Sequence, residues 1–226
     1  MMATEEKIKQ IILNLGADIC GIANIDRFSN APTGFTPSDI FKECKSVIVF
    51  AKRLPKGVGY VSPRIVYNHA NNQTISEVDK ITYKASIELE QIGCLVVPLP
   101  CDSPYDYWDN ENLTGKAVLS LRHAAVLAGL GSLGKNTLLI NRKYGNFITL
   151  GGLLTDLDLE SDKLSEDLCL ENCNLCLKSC PAGALDGKTA NQKLCRTNTY
   201  GTNDRGFGIV NCNKCRVVCP RAFGVG

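Results

Sequence analysis

The distribution of cysteine is the feature of this sequence that most restricts what the chain can fold into. Twelve of the 226 residues are cysteines, and eight of these lie between Cys169 and Cys219. Six disulfides would account for the number, but disulfides require an oxidising compartment. The first ten residues, MMATEEKIKQ, lack the apolar segment that directs secretion. We therefore expect a cytoplasmic protein with reduced thiols, where clustered cysteines bind metal or carry out redox chemistry.

Two runs of cysteine share one spacing. They are Cys173-x2-Cys176-x3-Cys180-Pro181 and Cys212-x2-Cys215-x3-Cys219-Pro220. Both match the last three cysteines and the proline of the bacterial ferredoxin run, in which the cysteine before proline ligates the other cluster. The pattern predicts two [4Fe–4S] clusters in a ferredoxin-like segment whose two runs exchange their last cysteine.

Each cluster needs a fourth thiolate, and two cysteines of the segment remain. Cys169 precedes Cys173 with three intervening residues, one more than the ferredoxin run has, so a three-iron cluster is expected if Cys169 does not reach. The predicted ligands are Cys169, Cys173, Cys176 and Cys219 for cluster 1, and Cys180, Cys195, Cys212 and Cys215 for cluster 2. Zinc is the main alternative, but zinc ribbons do not require the x3-Cys-Pro ending.

The other four cysteines are Cys20, Cys44, Cys94 and Cys101. The first three lie within or beside apolar segments, and buried free cysteine behaves as a small hydrophobic residue. We expect them to be packing residues. Cys101, in the polar stretch CDSPYDYWD, is expected to be the most exposed of the four.

The composition of the chain changes near residue 160. Residues 163–226 carry nine Lys and Arg against five Asp and Glu, whereas the rest carries sixteen against eighteen. We expect an α+β fold with an α/β layer domain over 1–162, for a cofactor, substrate or partner, and a ferredoxin-like domain over 163–226.

Apolar periodicity predicts the elements of the first domain. Strands are expected at 17–25, 46–52 and 94–100, and helices after Thr4, after Thr36 and over 116–128. A capping box, Thr74-x2-Glu77, predicts the start of a helix that ends at Gly93. The segments 137–141 and 147–154, joined by a Tyr-Gly-Asn turn, predict a β-hairpin.

Residues 129–136, GLGSLGKN, form a glycine-rich loop. The segment fits G-x-G-x-x-G and nearly fits G-x4-G-K-[ST], but both phosphate-binding motifs require a preceding strand and a following helix. Here the predicted order is reversed. Two interpretations remain: a helix stop with a tight turn, or a loop whose Gly129, Gly131, Gly134 and Lys135 hold a flat cofactor.

Three side chains are candidates for protonating a reduced substrate. Tyr105 and Tyr107 lie in an aromatic-rich loop, and tyrosine is a feasible proton donor. His123 lies on the predicted helix before the glycine loop. The alternatives are edge packing for the aromatic residues and a structural role for the histidine.

Residues 120–145, SLRHAAVLAGLGSLGKNTLLINRKYG, followed by the two cysteine runs, resemble the epoxyqueuosine reductase family and its short relatives from anaerobes. The resemblance covers most of 45–220 and extends in architecture to corrinoid reductive dehalogenases. It implies a nitroreductase-like α+β domain and a ferredoxin-like double-cluster domain, with cobalamin held between them near one cluster. Cys195 matches the isolated cysteine that the family places ahead of its second run.

Two departures from the family bear on the reaction. The family carries an active-site aspartate about a dozen residues before AGLG, and Gly115 falls near that position here. The family also continues into helical repeats that help hold transfer RNA, whereas this sequence ends at Gly226, six residues after Pro220. We therefore expect the family's proton donor to be missing or replaced, and no nucleic-acid substrate.

The expected function is an iron–sulfur oxidoreductase that passes electrons through both clusters to a corrinoid, or as second choice a flavin, and a small-molecule substrate. The alternative is a non-catalytic electron-transfer or reductive-activation protein that serves a partner enzyme. The expected partners are an electron donor such as ferredoxin or flavodoxin and, for the alternative, a corrinoid protein. No apolar stretch has the length of a membrane span, so a membrane is not expected.

Overall fold

The structure, a computed structural model, describes residues 4–62 and 64–225. Its helices are α1 (Glu5–Asn14), α2 (Pro37–Ile40), α3 (Arg64–Gln91), α4 (Leu121–Leu127), α5 (Leu175–Lys178), α6 (Gln192–Thr199) and α7 (Lys214–Val217). Its strands are β1 (Ile19–Asn24), β2 (Ser46–Arg53), β3 (Val96–Leu99), β4 (Tyr107–Asp109), β5 (Thr114–Lys116), β6 (Ser132–Leu133), β7 (Leu139–Ile140), β8 (Ile148–Thr155), β9 (Tyr200–Thr202) and β10 (Gly208–Val210). The elements as far as β8 form a layered part, and those from α5 onwards form a cysteine-rich part.

A four-stranded sheet with the order β1-β2-β8-β3 lies at the centre of the layered part. β2 and β3 both pair with β8 in the antiparallel sense, so they run parallel to each other with β8 between them. α3 connects β2 to β3, which makes these elements a split βαβ unit.

Helices cover both faces of this sheet because alternate residues of a strand point to opposite sides. Ile48 and Phe50 of β2 pack in a cluster with residues of α1 and α3. Val47 and Val49 pack on the other face in a cluster that includes Ala124 of α4. Burial of each such aliphatic or aromatic side chain contributes about 1.5–3 kcal/mol to the stability of the fold. These two clusters form the apolar core of the layered part.

Gly21 of β1 marks a close approach between the sheet and the end of α4. A Cβ added there would overlap the carbonyl oxygen of Ala128 and meet the Leu130 side chain at 3.0 Å. Because a backbone carbonyl cannot rotate away, Gly21→Ala is expected to lower the free energy of unfolding by about 2–3 kcal/mol. Urea denaturation measures this. Gly57→Ala, where nothing lies within 4 Å of the added Cβ, is the control. Equal losses in the two variants would contradict the prediction.

Several sequence predictions are confirmed. Thr4 caps α1 by accepting from Lys7 N–H, and Gly16, with φ +111°, follows the end of that helix. Thr36 forms a capping box with Asp39 at the start of α2. The predicted strands at 17–25, 46–52 and 94–100 correspond to β1, β2 and β3.

Three predictions of element boundaries and pairing are wrong. α3 begins at Arg64, ten residues before Thr74, whose hydroxyl donates to the carbonyl of Ala70 inside the helix instead of capping it. The predicted helix over 116–128 begins only at Leu121, because residues 114–116 pair with 107–109. The predicted hairpin is absent from the described residues, because β7 pairs with β6 and β8 inserts between β2 and β3.

The cysteine-rich part has short elements and little apolar core. Among the described residues after 162, the buried apolar side chains are those of Leu168, Ala184 and Ala222. Ala222 packs with Phe147 and Tyr67 of the layered part. None of the helices within 4–62 and 64–225 combines the length and apolar character needed to cross a bilayer.

Candidate iron–sulfur site

The structure brings together the four cysteines predicted for cluster 1. Cys169, Cys173, Cys176 and Cys219 line one cavity. Burial raises the pKa of the Cys219 thiol, a backbone hydrogen bond at Arg221 lowers it, and the charges of the other three cysteines raise it further. These four thiols are therefore electrostatic neighbours, although Cys219 lies far along the chain from the other three.

The four cysteines predicted for cluster 2 are also neighbours. Burial raises the pKa of the Cys215 thiol to about 11, with Arg216 opposing that shift. The charges that raise it further are those of Cys195, Cys212 and Cys180. Cys195 lies in α6, so the long insertion before the second run supplies its cysteine from a helix.

The exchange of the last cysteine follows from the local structure of the two runs. α5 and α7 are one-turn helices, and each is followed two residues later by a cysteine and then a proline, Cys180-Pro181 and Cys219-Pro220. Proline cannot continue a helix, so the chain turns away and each cysteine reaches the opposite quartet. Within 4–62 and 64–225, no three His, Cys, Asp or Glu side chains converge as ligands of a single ion do. The thiolates of a cubane bind four different corners, so they need not converge on one point.

Two buried donors without partners fit a cluster in each quartet. Arg221 lines the cavity of cluster 1, and its Nε is a buried donor that no described atom accepts from. Asn213, between Cys212 and the start of α7, has a buried Nδ2 that likewise lacks an acceptor among the described atoms. An unpaired buried donor costs about 1–3 kcal/mol, and the sulfurs of an iron–sulfur cluster are acceptors for such groups.

The glycine-rich loop packs against the protein's own backbone. Gly129, with φ +73°, stops α4, and a Cβ there would overlap the carbonyl oxygen of Lys163. A Cβ on Gly131 would overlap the carbonyl oxygen of Ile140. These glycines act as a helix stop and a tight turn, so the space beside them does not fit a flat organic cofactor. Gly134 lines the cavity of cluster 1 instead.

The end of this loop holds both cysteine runs in place. The Lys135 ammonium donates to the carbonyls of Glu171 and Cys173, the latter at 3.1 Å. Asn136, which is buried, donates from Nδ2 to the carbonyl of Cys215 at 2.9 Å. Adjacent residues of one loop therefore fix the first run and the second run.

An arginine and three aromatic rings lie beside the second quartet. Arg196, next to Cys195 in α6, donates from Nη2 to the Tyr105 hydroxyl oxygen at 2.9 Å. Its guanidinium lies 5.0 Å from the Tyr105 ring centroid, 4.9 Å from that of Trp108 and 5.9 Å from that of Tyr200. The Tyr105 and Trp108 rings stack with centroids 5.6 Å apart. This arginine–aromatic cluster joins the β4–β5 hairpin to the cysteine-rich part.

The three proposed proton donors lie in different surroundings. Tyr105 is in the arginine–aromatic cluster. Tyr107 points to the opposite face of β4 from Trp108, and the Lys116 ammonium lies 5.3 Å from its ring centroid. His123 Nδ1 is hydrogen-bonded to the Ser120 hydroxyl at 2.7 Å. Burial, and then the charge of Arg122, hold the pKa of His123 below its ordinary value.

The space beside Gly115 is filled by Tyr105. A Cβ added to Gly115 would come within 2.9 Å of the Tyr105 ring. Gln192 of α6 fixes this glycine by accepting from its N–H at 3.0 Å and donating to its carbonyl at 3.1 Å. Sequence reasoning missed Gln192, Arg196 and Arg221, although Arg196 and Arg221 stand directly beside Cys195 and Pro220.

The other four cysteines are packing residues. Cys44 and Cys94 are buried in the two core clusters, and Cys20 and Cys101 pack against one of them. Cys101, expected to be the most exposed of the four, is partly buried, as Cys20 is, and its thiol bonds the Ile75 carbonyl at 3.7 Å. Burial raises the pKa of the Cys20 thiol to about 12, so this thiol is unreactive.

A layered α/β part followed by two ferredoxin-type cysteine runs defines a class of redox proteins, and the comparisons with known proteins agree with it. No family model matches the chain. An epoxyqueuosine reductase of Listeria monocytogenes is 39% identical over 105 residues, which are 41% of this chain and 27% of that protein. The Bacillus subtilis enzyme is 25% identical over 96% of this chain and 63% of that one. A tetrachloroethene reductive dehalogenase of Dehalobacter restrictus is 30% identical over 75% of this chain and 27% of that protein.

Solved structures show the same fold. An epoxyqueuosine reductase from Streptococcus thermophilus matches 98% of this chain and 66% of that one, with a TM-score of 0.67 and 21% identity. A catabolic reductive dehalogenase matches 95% of this chain and 31% of that one, with a TM-score of 0.72 and 17% identity. The chain is an epoxyqueuosine reductase-like protein, related in sequence and structure to reductive dehalogenases. It spans from about a quarter to under two thirds of the length of these curated relatives.

Proposed function

We propose that the chain is an iron–sulfur oxidoreductase with two [4Fe–4S] clusters. Cys169, Cys173, Cys176 and Cys219 hold cluster 1, and Cys180, Cys195, Cys212 and Cys215 hold cluster 2. One observation carries the proposal: each run of cysteines meets the last cysteine of the other run, as the ferredoxin pattern requires. When bound, the clusters supply one-electron transfer, and the protein positions them beside the site of reduction.

The site of reduction in this proposal is the arginine–aromatic cluster. Arg196 follows Cys195 directly, so the β4–β5 hairpin is the part of the layered domain next to cluster 2. Trp108 is 41% exposed, and its ring offers a flat apolar surface there. A small molecule with a reducible group is the proposed substrate, and a ferredoxin or flavodoxin is the proposed electron donor.

Cobalamin is the organic cofactor that the relatives suggest, since a structurally similar reductive dehalogenase is connected with B12-dependent dehalogenation. Four residues were predicted to hold it. Gly129, Gly131 and Gly134 do not fit this role, because the protein's own backbone and the cluster 1 cavity take up the space beside them. The Lys135 ammonium bonds the carbonyls of Glu171 and Cys173 instead. No step of the proposed reaction is therefore assigned to cobalamin.

The proposal is tested with protein purified and reconstituted without oxygen. We expect about eight iron and eight sulfide per chain, and bleaching near the visible charge-transfer band on addition of dithionite. Hydroxocobalamin and FMN are then added separately, and binding is read from the difference spectrum. A reconstituted protein without iron–sulfur absorption would overturn the proposed function.

Tyr105 is the proposed proton donor to the reduced substrate. Its hydroxyl is held by the Arg196 guanidinium and lies next to Gly115. Because general acid catalysis contributes about 10²- to 10⁴-fold, Tyr105→Phe is expected to slow substrate reduction at least about 100-fold. Single-turnover assays with the dithionite-reduced protein measure this, with Tyr107→Phe as the control on the opposite face. Unchanged rates in Tyr105→Phe, with both clusters loaded, would contradict the role.

A second candidate function is electron transfer to a partner enzyme, such as a corrinoid protein. The filling of the space beside Gly115 by the Tyr105 ring favours this candidate. Oxidation of the reduced clusters by a corrinoid protein, without turnover of any small molecule, would support it over the first.

A further inference from the structure

Two cationic side chains of the cluster 1 cavity have no part in the proposed transfer of electrons or protons. Lys135 and Arg221 line this cavity together with the four cysteines. Lys135 comes from the loop after α4, and Arg221 directly follows the second run. They approach the quartet from different parts of the chain, so their convergence arises only in the folded protein.

The hydrogen bonds of Lys135 hold its charge at the cavity. Besides the carbonyls of Glu171 and Cys173, the ammonium donates to Asn174 Oδ1 at 3.3 Å. These acceptors are two carbonyls and one amide, which are uncharged. The described ion pairs do not include Lys135, so its full positive charge acts on the quartet.

Arg221 places a second charge at the same cavity. Its Nε is buried and has no acceptor among the described residues. The guanidinium group of arginine is a cation that carries only hydrogen-bond donors. The unpartnered donor therefore supplies both a positive charge and an N–H group to whatever occupies the cavity.

We propose that Lys135, supported by Arg221, is a positioning residue that raises the reduction potential of cluster 1. The inference rests on the proposed function, because it requires a cluster on this quartet. Reduction adds one electron from the donor to the oxidised cluster, so its net charge becomes more negative by one. A neighbouring positive charge stabilises the reduced form more than the oxidised form, and donors near the sulfurs act in the same direction.

The test is a redox titration of the reconstituted holoprotein with dithionite, followed by EPR. At a fixed potential, Lys135→Met is expected to lower the reduced-to-oxidised ratio of one cluster about tenfold, which for one electron is about 59 mV. The other cluster keeps its ratio. Lys135→Arg retains the charge and is expected to stay near the wild-type ratio. Lys178→Met removes an exposed lysine of α5, whose charge water and salt screen, and is the matched control.

The outcomes separate this inference from the proposed function. Unchanged ratios in Lys135→Met with both clusters present, or equal shifts in Lys135→Met and Lys178→Met, would overturn the inference and leave the proposed function intact. Wild-type protein without clusters would overturn the proposed function itself. If Lys135→Met does not take up cluster 1, Arg221→Met is titrated in its place. Failure of both variants to load would assign these side chains to holding the loops and overturn the electrostatic role.

Discussion

Replacement of Cys219 by serine is expected to remove cluster 1 while cluster 2 remains. Cys219 belongs to the second run but lies among Cys169, Cys173 and Cys176. The iron content should fall from about eight to about four per chain, since each cubane holds four irons. Iron and sulfide analysis of the anaerobically reconstituted protein measures the loss. Cys101→Ser, which changes a packing thiol outside both quartets, should keep the full iron content.

Double substitutions test the exchange of cysteines between the runs. Cys173→Ser combined with Cys219→Ser should lose no more iron than either single variant, because both cysteines serve one cluster. Cys212→Ser combined with Cys219→Ser should lose nearly all iron, although these two cysteines lie in the same run. The reverse pattern would show that each run holds its own cluster and would contradict the proposed ligand sets.

Removal of both clusters is expected to unfold the cysteine-rich part and leave the sheet of the layered part folded. The described residues after 162 bury only Leu168, Ala184 and Ala222 among their apolar side chains, whereas the sheet lies between two extensive apolar clusters. For a segment with so small a core, the free energy of binding the metal centre is free energy of folding.

Amide hydrogen exchange of the holoprotein and of chelator-treated, oxidised protein measures this effect. Amides of α5, α6 and α7 should exchange at least about 100-fold faster without clusters, while those of β2 and β8 keep their protection. The sheet amides are the internal control. Full protection of the cysteine-rich part without clusters would show that its fold does not depend on them.

The sequence predicted the local structure best where one residue type has one physical role. Thr36 and Pro37 mark the start of α2, and Gly16 marks the end of α1, because caps and stops depend on neighbouring backbone groups. The Thr74-x2-Glu77 pattern predicted a helix start that the structure does not have, because the hydrogen bonding of threonine is not specific to helix ends. A threonine hydroxyl satisfies a backbone group equally well inside a helix, and here it bonds the Ala70 carbonyl.

The sequence did not predict which strands pair with each other. A Tyr-Gly-Asn turn follows β7, and apolar residues on both sides of it predict a hairpin. β8 nevertheless pairs with β2 and β3, which lie far from it in the chain. Its central position buries Leu153 and Leu154 completely. The free energy gained by burying apolar area in the non-local pairing exceeds the loop-closure entropy that the shorter loop of a hairpin would save.

The sequence by itself determined the chemistry of the cysteines, because ligand type and short spacing are properties of a local run. It identified the two runs, the candidates for the fourth ligands and the resemblance to epoxyqueuosine reductases. Only the tertiary structure decided what surrounds them. The contacts of Lys135 and Asn136 with the two runs and the Arg196–Tyr105 pair join residues far apart in the chain. Tertiary packing also buries the Nε donor of Arg221. Such contacts depend on how the layered part and the cysteine-rich part pack, and no local pattern specifies that packing.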